Sequence, residues 1–187
     1  GGGSVIDTSK ATNILVSEGG DDLLKYSGHT TLLNHSNPFF VIPTTSGTGS
    51  EVTMVAVVSD PEKNVKLPFA SYYLMPHAAI LDPRMTQTLP PHLTAMTAMD
   101  AMTHAVEAYT CMAHNPISDA YATAAIKKVS NHLFDVLDNP SDANGRLELA
   151  QASTMAGIAF SNSMVGLVHS LGHALGAVAH LPHGLCM

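Results

Sequence analysis

The sequence predicts two structural halves, an α/β half over residues 1–83 and an all-α half over residues 84–187. Short apolar runs rich in β-branched residues alternate with a helix-like segment only before residue 85. Longer segments with apolar residues at helical spacing follow, separated by turn signals such as Asn139-Pro140. The chain is 45% hydrophobic and 12% charged, which is typical of a well-buried globular protein.

The α/β half is expected to contain one helix and several short strands. A helix over residues 5–16 follows the opening glycines, with Ser4 as its candidate N-cap. The segments 52–58 and 65–67 flank an Asp/Pro/Asn-rich turn at 60–64, which predicts a β-hairpin. Two further short strands are expected at residues 39–43 and 78–81.

The all-α half is expected to contain four helices. Asn115 followed by Pro116 is typical of a helix start, because Asn caps free N–H groups and Pro fits the first helical position. The expected helices are residues 93–109, 116–137, 144–161 and 165–178.

Composition excludes several classes of partner. The net charge is −7, with 8 Lys and Arg against 15 Asp and Glu, and no basic cluster offsets it, so no nucleic-acid partner is expected. The sequence has no apolar run of membrane-spanning length and no signal peptide, so no membrane partner and a cytoplasmic location are expected. The two cysteines do not form a disulfide framework.

Four side chains of the second half predict a metal site: Asp100, His104, His169 and His183. Asp100 and His104 are four residues apart, so a helix places both on one face. One carboxylate with three imidazoles suits Fe(II), or Zn(II), better than Ca(II) or Mg(II). The alternatives are a surface ion pair on the helix and core histidines bonded to backbone carbonyls. The apolar neighbours of these residues disfavour both alternatives.

Two small polar turns predict phosphate binding. Gly1-Gly2-Gly3-Ser4 enters a helix, and Thr44-Thr45-Ser46-Gly47-Thr48-Gly49-Ser50 follows an expected strand. Backbone N–H groups at such turns suit a pyrophosphate, although each turn alone is equally typical of a linker or a plain loop. Together they favour dinucleotide binding by a partial Rossmann-like unit.

Four segments resemble the iron-containing (group III) alcohol dehydrogenases: Gly-Gly-Gly-Ser-x-Ile-Asp, Thr-Thr-Ser-Gly-Thr-Gly-Ser-Glu, Met-Asp-Ala-Met-Thr-His-Ala-Val-Glu-Ala-Tyr, and His-Ser-Leu-Gly-His-Ala-Leu-Gly with Leu-Pro-His-Gly. The resemblance implies a dehydroquinate synthase-like architecture with the active site between the halves. It implies the same four metal ligands and a proton-transferring, catalytic His173. The cofactor-binding residues that it implies are Gly2, Gly3, Ser4, Asp7, Thr44, Thr45, Thr48 and Lys66.

The resemblance also implies an activity and leaves alternatives open. The implied reaction is NAD(P)-linked interconversion of small primary alcohols and aldehydes by hydride transfer, in a protein that is a homo-oligomer when full length. The family's first β-α-β unit and last helices are expected to lie upstream of Gly1 and beyond Met187, so the chain is expected to be a fragment. The alternatives are a metal-dependent hydrolase or lyase, and an inactive metal-binding helical fragment.

Overall fold

The computed structural model describes residues 1–29, 31–60 and 65–187. The first part contains helix α1 (Gly3–Glu18) and five strands. The strands are β1 (Gly28–His29), β2 (Phe40–Val41), β3 (Val55–Asp60), β4 (Val65–Ala70) and β5 (Ala78–Ala79). Strands β1, β4 and β3 form one sheet in that order, with β1 parallel and β3 antiparallel to β4, while β2 and β5 form a parallel pair.

The expected hairpin is confirmed, with Val55 opposite Ala70 and Asp60 opposite Val65. Residues 61–64 of its expected turn lie outside the described residues. The strands expected at 39–43 and 78–81 form, but each is only two residues long because β2 and β5 pair over two positions.

The start of α1 differs from the prediction. Gly2 is the N-cap, and its carbonyl accepts hydrogen bonds from the N–H groups of Val5 and Ile6. Ser4 therefore lies within the first helical turn, and the prediction that it caps the helix was wrong. The helix begins earlier because the glycine backbone supplies the capping geometry without a side chain.

The second part is helical, as expected. Its helices are α2 (Pro91–Thr110), α3 (Pro116–Asp138), α4 (Ala143–Ser163), α5 (Leu167–Ala179) and α6 (His183–Cys186). Asn115 caps α3 as predicted, because its side chain accepts hydrogen bonds from the N–H groups of Ile117 and Ser118. Short α6 was not among the expected helices, and His183 is its first residue after Pro182.

Small side chains let α2, α3 and α4 pack closely. Their shared core consists largely of alanines that are fully buried: Ala101, Ala105, Ala108, Ala122, Ala125, Ala156 and Ala159. Close helix packing of this kind fixes the face of α2 that is turned away from solvent. Within the described part of the chain, none of the helices is both long enough and apolar enough to cross a membrane.

Glycines bring the two parts into direct contact. Gly49 has a positive φ of 64°, and a Cβ there would lie 2.6 Å from the Cα of Gly157 on α4. Beside this contact, Thr154 Oγ1 of α4 donates a hydrogen bond to the buried carboxylate of Glu51, at 2.8 Å. The loop at residues 44–50 is therefore seated against the helical part.

Candidate active site

Helix α2 places Asp100 and His104 on one buried face. Only 2% of Asp100 and 5% of His104 is exposed, and His104 Nδ1 lies 3.7 Å from Asp100 Oδ1. The i, i+4 spacing aligned both side chains as the sequence predicted. Burial of a carboxylate and an imidazole requires compensating partners.

Helices α5 and α6 bring two more imidazoles to the same carboxylate oxygen. His169 Nε2 lies 3.5 Å and His183 Nε2 lies 3.3 Å from Asp100 Oδ1. Asp100, His169 and His183 each offer one donor atom, and these three atoms lie within 4.8 Å of one another. Residues far apart in the sequence therefore form a set of donors that is compact enough to surround one cation.

His104 is adjacent to this set but is not part of it. Its ring stacks on the ring of His169, with centroids 4.1 Å apart and an interplanar angle of 24°. Phe160 stacks at 4.4 Å from the same imidazole. The structure thus brings three of the four predicted ligands together and places the fourth beside them, so ligation by His104 stays a prediction.

Several buried polar atoms of the Asp100 cluster lack a hydrogen-bond partner among the described residues. They include Asp100 Oδ1, His104 Nδ1 and His169 Nε2. Leaving a buried polar atom unpaired costs about 1–3 kcal/mol, so three in one place require an explanation. A cation held by Asp100, His169 and His183 satisfies the unpaired atoms of Asp100 and His169, and the residues present therefore fit a divalent metal.

The electrostatics of the cluster agree with that fit. Burial by itself raises the pKa of Asp100. The rings of His169, His183 and His104 lower this pKa by a larger amount, so the carboxylate is ionised. Burial lowers the pKa of His104 to about 4, which outweighs the opposing effect of Asp100 and leaves the ring neutral at pH 7. An ionised carboxylate and a neutral imidazole are the forms that bind metals.

One cavity joins this cluster to the opening glycines. It has a volume of about 350 Å³. Among the residues that line it are Gly2, Gly3, Ser4, Thr45, Thr48, Asp100 and His183. The two turns approach each other closely in its wall, with little room for a side chain at either glycine. A Cβ at Gly3 would lie 2.6 Å from Thr48 Cγ2, and one at Gly2 would lie 3.1 Å from Thr45 Cγ2. Both predicted phosphate turns therefore open onto the space that reaches the metal donors.

Thr44, Asp7 and Lys66, which the resemblance also implies, do not line this cavity. Thr44 donates its backbone N–H to the carbonyl of Gly1, which ties the two turns together. Asp7 accepts a hydrogen bond from the backbone N–H of Val57, and burial raises the pKa of its carboxyl. Lys66 lines a separate cavity of about 200 Å³ with His180.

His173 lies beside the metal cluster. Its ring centroid is 5.7 Å from that of His169 and 5.1 Å from that of His183. Burial, reinforced by the positive charge of Lys66, lowers the pKa of His173 to about 4. The ring is therefore neutral at pH 7 and can accept a proton from a donor in the site.

Sequence reasoning missed Glu107, which bonds to His169 Nδ1 at 2.6 Å. It follows Asp100 by seven residues and His104 by three, so all three share one face of α2. That spacing, on a helix otherwise rich in alanine, was the available signal.

Comparisons with known proteins cover nearly the whole chain. A family model described as "Iron-containing alcohol dehydrogenase" matches residues 1–83. A model described as "Fe-containing alcohol dehydrogenase family, C-terminal" matches residues 94–187.

Individual relatives agree with the family models. The NADPH-dependent butanol dehydrogenase of Clostridium saccharobutylicum is 41% identical over 186 residues, which are 98% of this chain and 47% of the relative. The NAD-dependent methanol dehydrogenase of Bacillus methanolicus is 40% identical over 186 residues, 100% of this chain and 49% of the relative. The crystal structure of a 1,3-propanediol oxidoreductase superposes with a TM-score of 0.95 at 39% identity, over 99% of this chain and 48% of that one. The chain thus spans about half the length of the curated relatives it matches.

Proposed function

Because the chain belongs to the iron-containing alcohol dehydrogenase family, we propose that the whole protein interconverts primary alcohols and aldehydes with NAD or NADP. The observation that carries the proposal is the shared cavity, lined both by Gly2 to Ser4 and by Asp100 and His183. A hydrolase or lyase that only activates water has no use for the two phosphate turns beside its cation. The names of the relatives include NADPH-dependent and NAD-dependent enzymes, so the proposal covers both cofactors.

In this proposal the metal-binding residues come from the helical part of the chain. Asp100, His169 and His183 hold the cation, with His104 as the fourth ligand. When bound, the cation supplies Lewis acidity toward the alcohol oxygen and the nicotinamide takes up or gives back the hydride. Three imidazoles and one carboxylate suit Fe(II), and Zn(II) competes for such a set.

The cofactor side of the proposal rests on backbone rather than on side-chain charge. The N-terminus of α1 presents free N–H groups and the positive end of its dipole beside Gly3 and Ser4. Thr45 and Thr48 line the same cavity and add hydroxyl groups next to these glycines. We propose that these residues bind the pyrophosphate, with Asp7, Thr44 and Lys66 supporting the remainder of the cofactor.

His173 has the proposed role of moving the proton. Its neutral ring lies with its centroid 5.1 Å from that of His183, beside the cluster. An imidazole there accepts the proton that the alcohol releases and passes it toward solvent. His173→Ala should therefore lower alcohol oxidation most at neutral pH while leaving the bound metal in place.

Two measurements on the whole protein test the proposal. Protein prepared anaerobically should contain iron or zinc near one equivalent per chain, and it should enhance and shift nicotinamide fluorescence when titrated with NADH. A hydrolase would bind the metal without this fluorescence change, and protein that binds both but oxidises no primary alcohol would contradict the assigned reaction.

Gly3→Ala separates the two halves of the proposal. The new Cβ meets Thr48 Cγ2 at 2.6 Å and forces the two turns apart, so NADH binding should weaken while metal content is retained. Thr8→Ala, on the exposed side of the same helix, is the matched control and should leave both unchanged.

A further inference from the structure

Glu107 makes three contacts to the start of α5 with one carboxylate. Its Oε2 lies 2.6 Å from His169 Nδ1. Its Oε1 accepts hydrogen bonds from the backbone N–H groups of Val168, at 2.5 Å, and His169, at 3.2 Å. Only 5% of Glu107 is exposed, so water competes little for these bonds.

The contacts of Oε1 complete the N-terminus of α5. The first N–H groups of a helix have no acceptor within the helix, and the N-cap here is Gly166, which has no side chain to offer. Glu107 supplies the acceptor from α2. A Cβ at residue 166 would lie 3.1 Å from Glu107 Oε1, so glycine gives the carboxylate room to approach.

The contact of Oε2 determines which ring nitrogen of His169 carries hydrogen. An ionised carboxylate accepts only, so in the neutral ring that binds a metal the hydrogen resides on Nδ1 and the lone pair on Nε2. Nε2 is the atom that lies 3.5 Å from Asp100 Oδ1, buried and unpaired within the described part of the chain. This is the arrangement in which a histidine bonds a cation through one nitrogen and a carboxylate through the other.

We propose that Glu107 is the positioning residue of the cation site, because one carboxylate fixes both the start of α5 and the tautomer of His169. The inference rests on the cation site of the proposed function. It goes beyond that function by assigning the group that presents the His169 lone pair to the metal. It also implies that cation affinity depends on a residue that does not touch the cation.

The substitution Glu107→Gln tests this role directly, because an amide replaces one of the two accepting oxygens with a donor. Glutamine has one accepting and one donating terminus, so it cannot accept from the backbone of α5 and from His169 Nδ1 together. With its oxygen on the backbone, its NH₂ donates to Nδ1 and moves the ring hydrogen to Nε2, where Asp100 accepts it. The metal-free protein then stays folded while the nitrogen that faces the cation is protonated.

The experiment uses the whole protein with ¹⁵N-labelled histidine, first without metal. Long-range ¹H–¹⁵N spectra recorded at alkaline pH, where the ring is neutral, should show the Nδ1–H form of His169 in the wild type and the Nε2–H form in Glu107→Gln. Competition with a chromophoric chelator should then show Zn(II) or Fe(II) affinity about 10- to 100-fold weaker in the variant. The control Asp119→Asn removes the carboxylate from a surface His–carboxylate pair, that of His114, and should leave the affinity unchanged.

A second variant approaches the same contact from the other side. Gly166→Ala keeps the carboxylate of Glu107 but places a methyl group 3.1 Å from Oε1, so it should also weaken cation binding. It keeps the test informative if Glu107→Gln fails to fold.

The outcomes distinguish the inference from a plain structural cap. A cap alone predicts lower stability with unchanged His169 tautomer and unchanged metal affinity, and that result would overturn the proposal. An Nε2–H tautomer in the wild type would overturn it as well. A wild type that binds no divalent cation would instead refute the proposed function, and the tautomer measurement separates the two failures because it requires no metal.

Discussion

Lys10 should make the stability of this protein rise with pH in the alkaline range. The side chain lies on α1 and is 1% exposed. Its Nζ donates to the carbonyl of Thr53 at 2.7 Å, to Thr53 Oγ1 at 3.1 Å and to the carbonyl of Val55 at 2.8 Å. Burial lowers the pKa of Lys10 from 10.5 to about 8, although the carboxylates of Asp7 and Glu51 oppose this effect.

The direction of the effect follows from proton binding. Between pH 8 and 10.5 the unfolded chain keeps the proton on Lys10 while the folded chain has released it, so raising the pH favours the folded state. The gain is complete above pH 10.5 and is lost as the pH falls to 8. Each pH unit between the two pKa values adds about 1.4 kcal/mol to the free energy of unfolding. The lowering of the pKa from 10.5 to about 8 therefore adds about 3 kcal/mol in total.

Chemical denaturation at pH 8 and at pH 10.5 measures this contribution. The free energy of unfolding of the wild type should increase relative to that of Lys10→Met by about 3 kcal/mol between the two pH values. The constant cost of losing the hydrogen bonds of Lys10 Nζ in the variant cancels from this difference. Lys25→Met removes a lysine whose side chain is 66% exposed, and its curve should stay parallel to that of the wild type. Parallel curves for wild type and Lys10→Met would refute the reasoning.

Three further substitutions test the site and the contact between the two parts. His104→Ala should remove bound metal and alcohol oxidation together while circular dichroism shows unchanged helix content. Unchanged metal stoichiometry would remove this residue from the ligand set. Thr154→Val deprives the buried carboxylate of Glu51 of its hydroxyl donor and should lower the free energy of unfolding by about 1–3 kcal/mol in urea titrations. An unchanged midpoint would contradict the importance of that bond. Gly47→Ala places a Cβ 2.7 Å from the carbonyl oxygen of Thr97 on α2, so NADH titration should show weaker binding while metal content is kept.

Local patterns in the sequence were sufficient for much of the fold. The pairing of Asp100 with His104 depended only on helical spacing, and α2 displays it. The capping of α3 by Asn115 and the hairpin of β3 with β4 likewise followed from a few neighbouring residues. These features were predictable because the interactions that determine them act within one element or between adjacent ones.

Features that depend on distant contacts were not predictable in this way. Lys10 is buried because α1 packs against the segment that contains Thr53, a contact between residues more than 40 positions apart. The spacing of Glu107 from Asp100 indicated only that both share a face of α2, whereas the bonds that Glu107 makes depend on how α5 docks there. The start of α6 at His183 was missed because a four-residue helix has too few positions to show a period.

The close seating of the loop at residues 44–50 on the helical part is the structural reason for preferring a dehydrogenase to a hydrolase. The loop contacts α2 through Gly47 and α4 through Gly49, and α2 also carries Asp100. Hydride transfer requires reacting atoms to be held about 3–3.5 Å apart, so cofactor and cation must be fixed relative to each other. A loop packed against the ligand-bearing helix with no room for a methyl group at Gly47 supplies that constraint. Water activation needs only the cation, and it would leave these contacts without a chemical purpose.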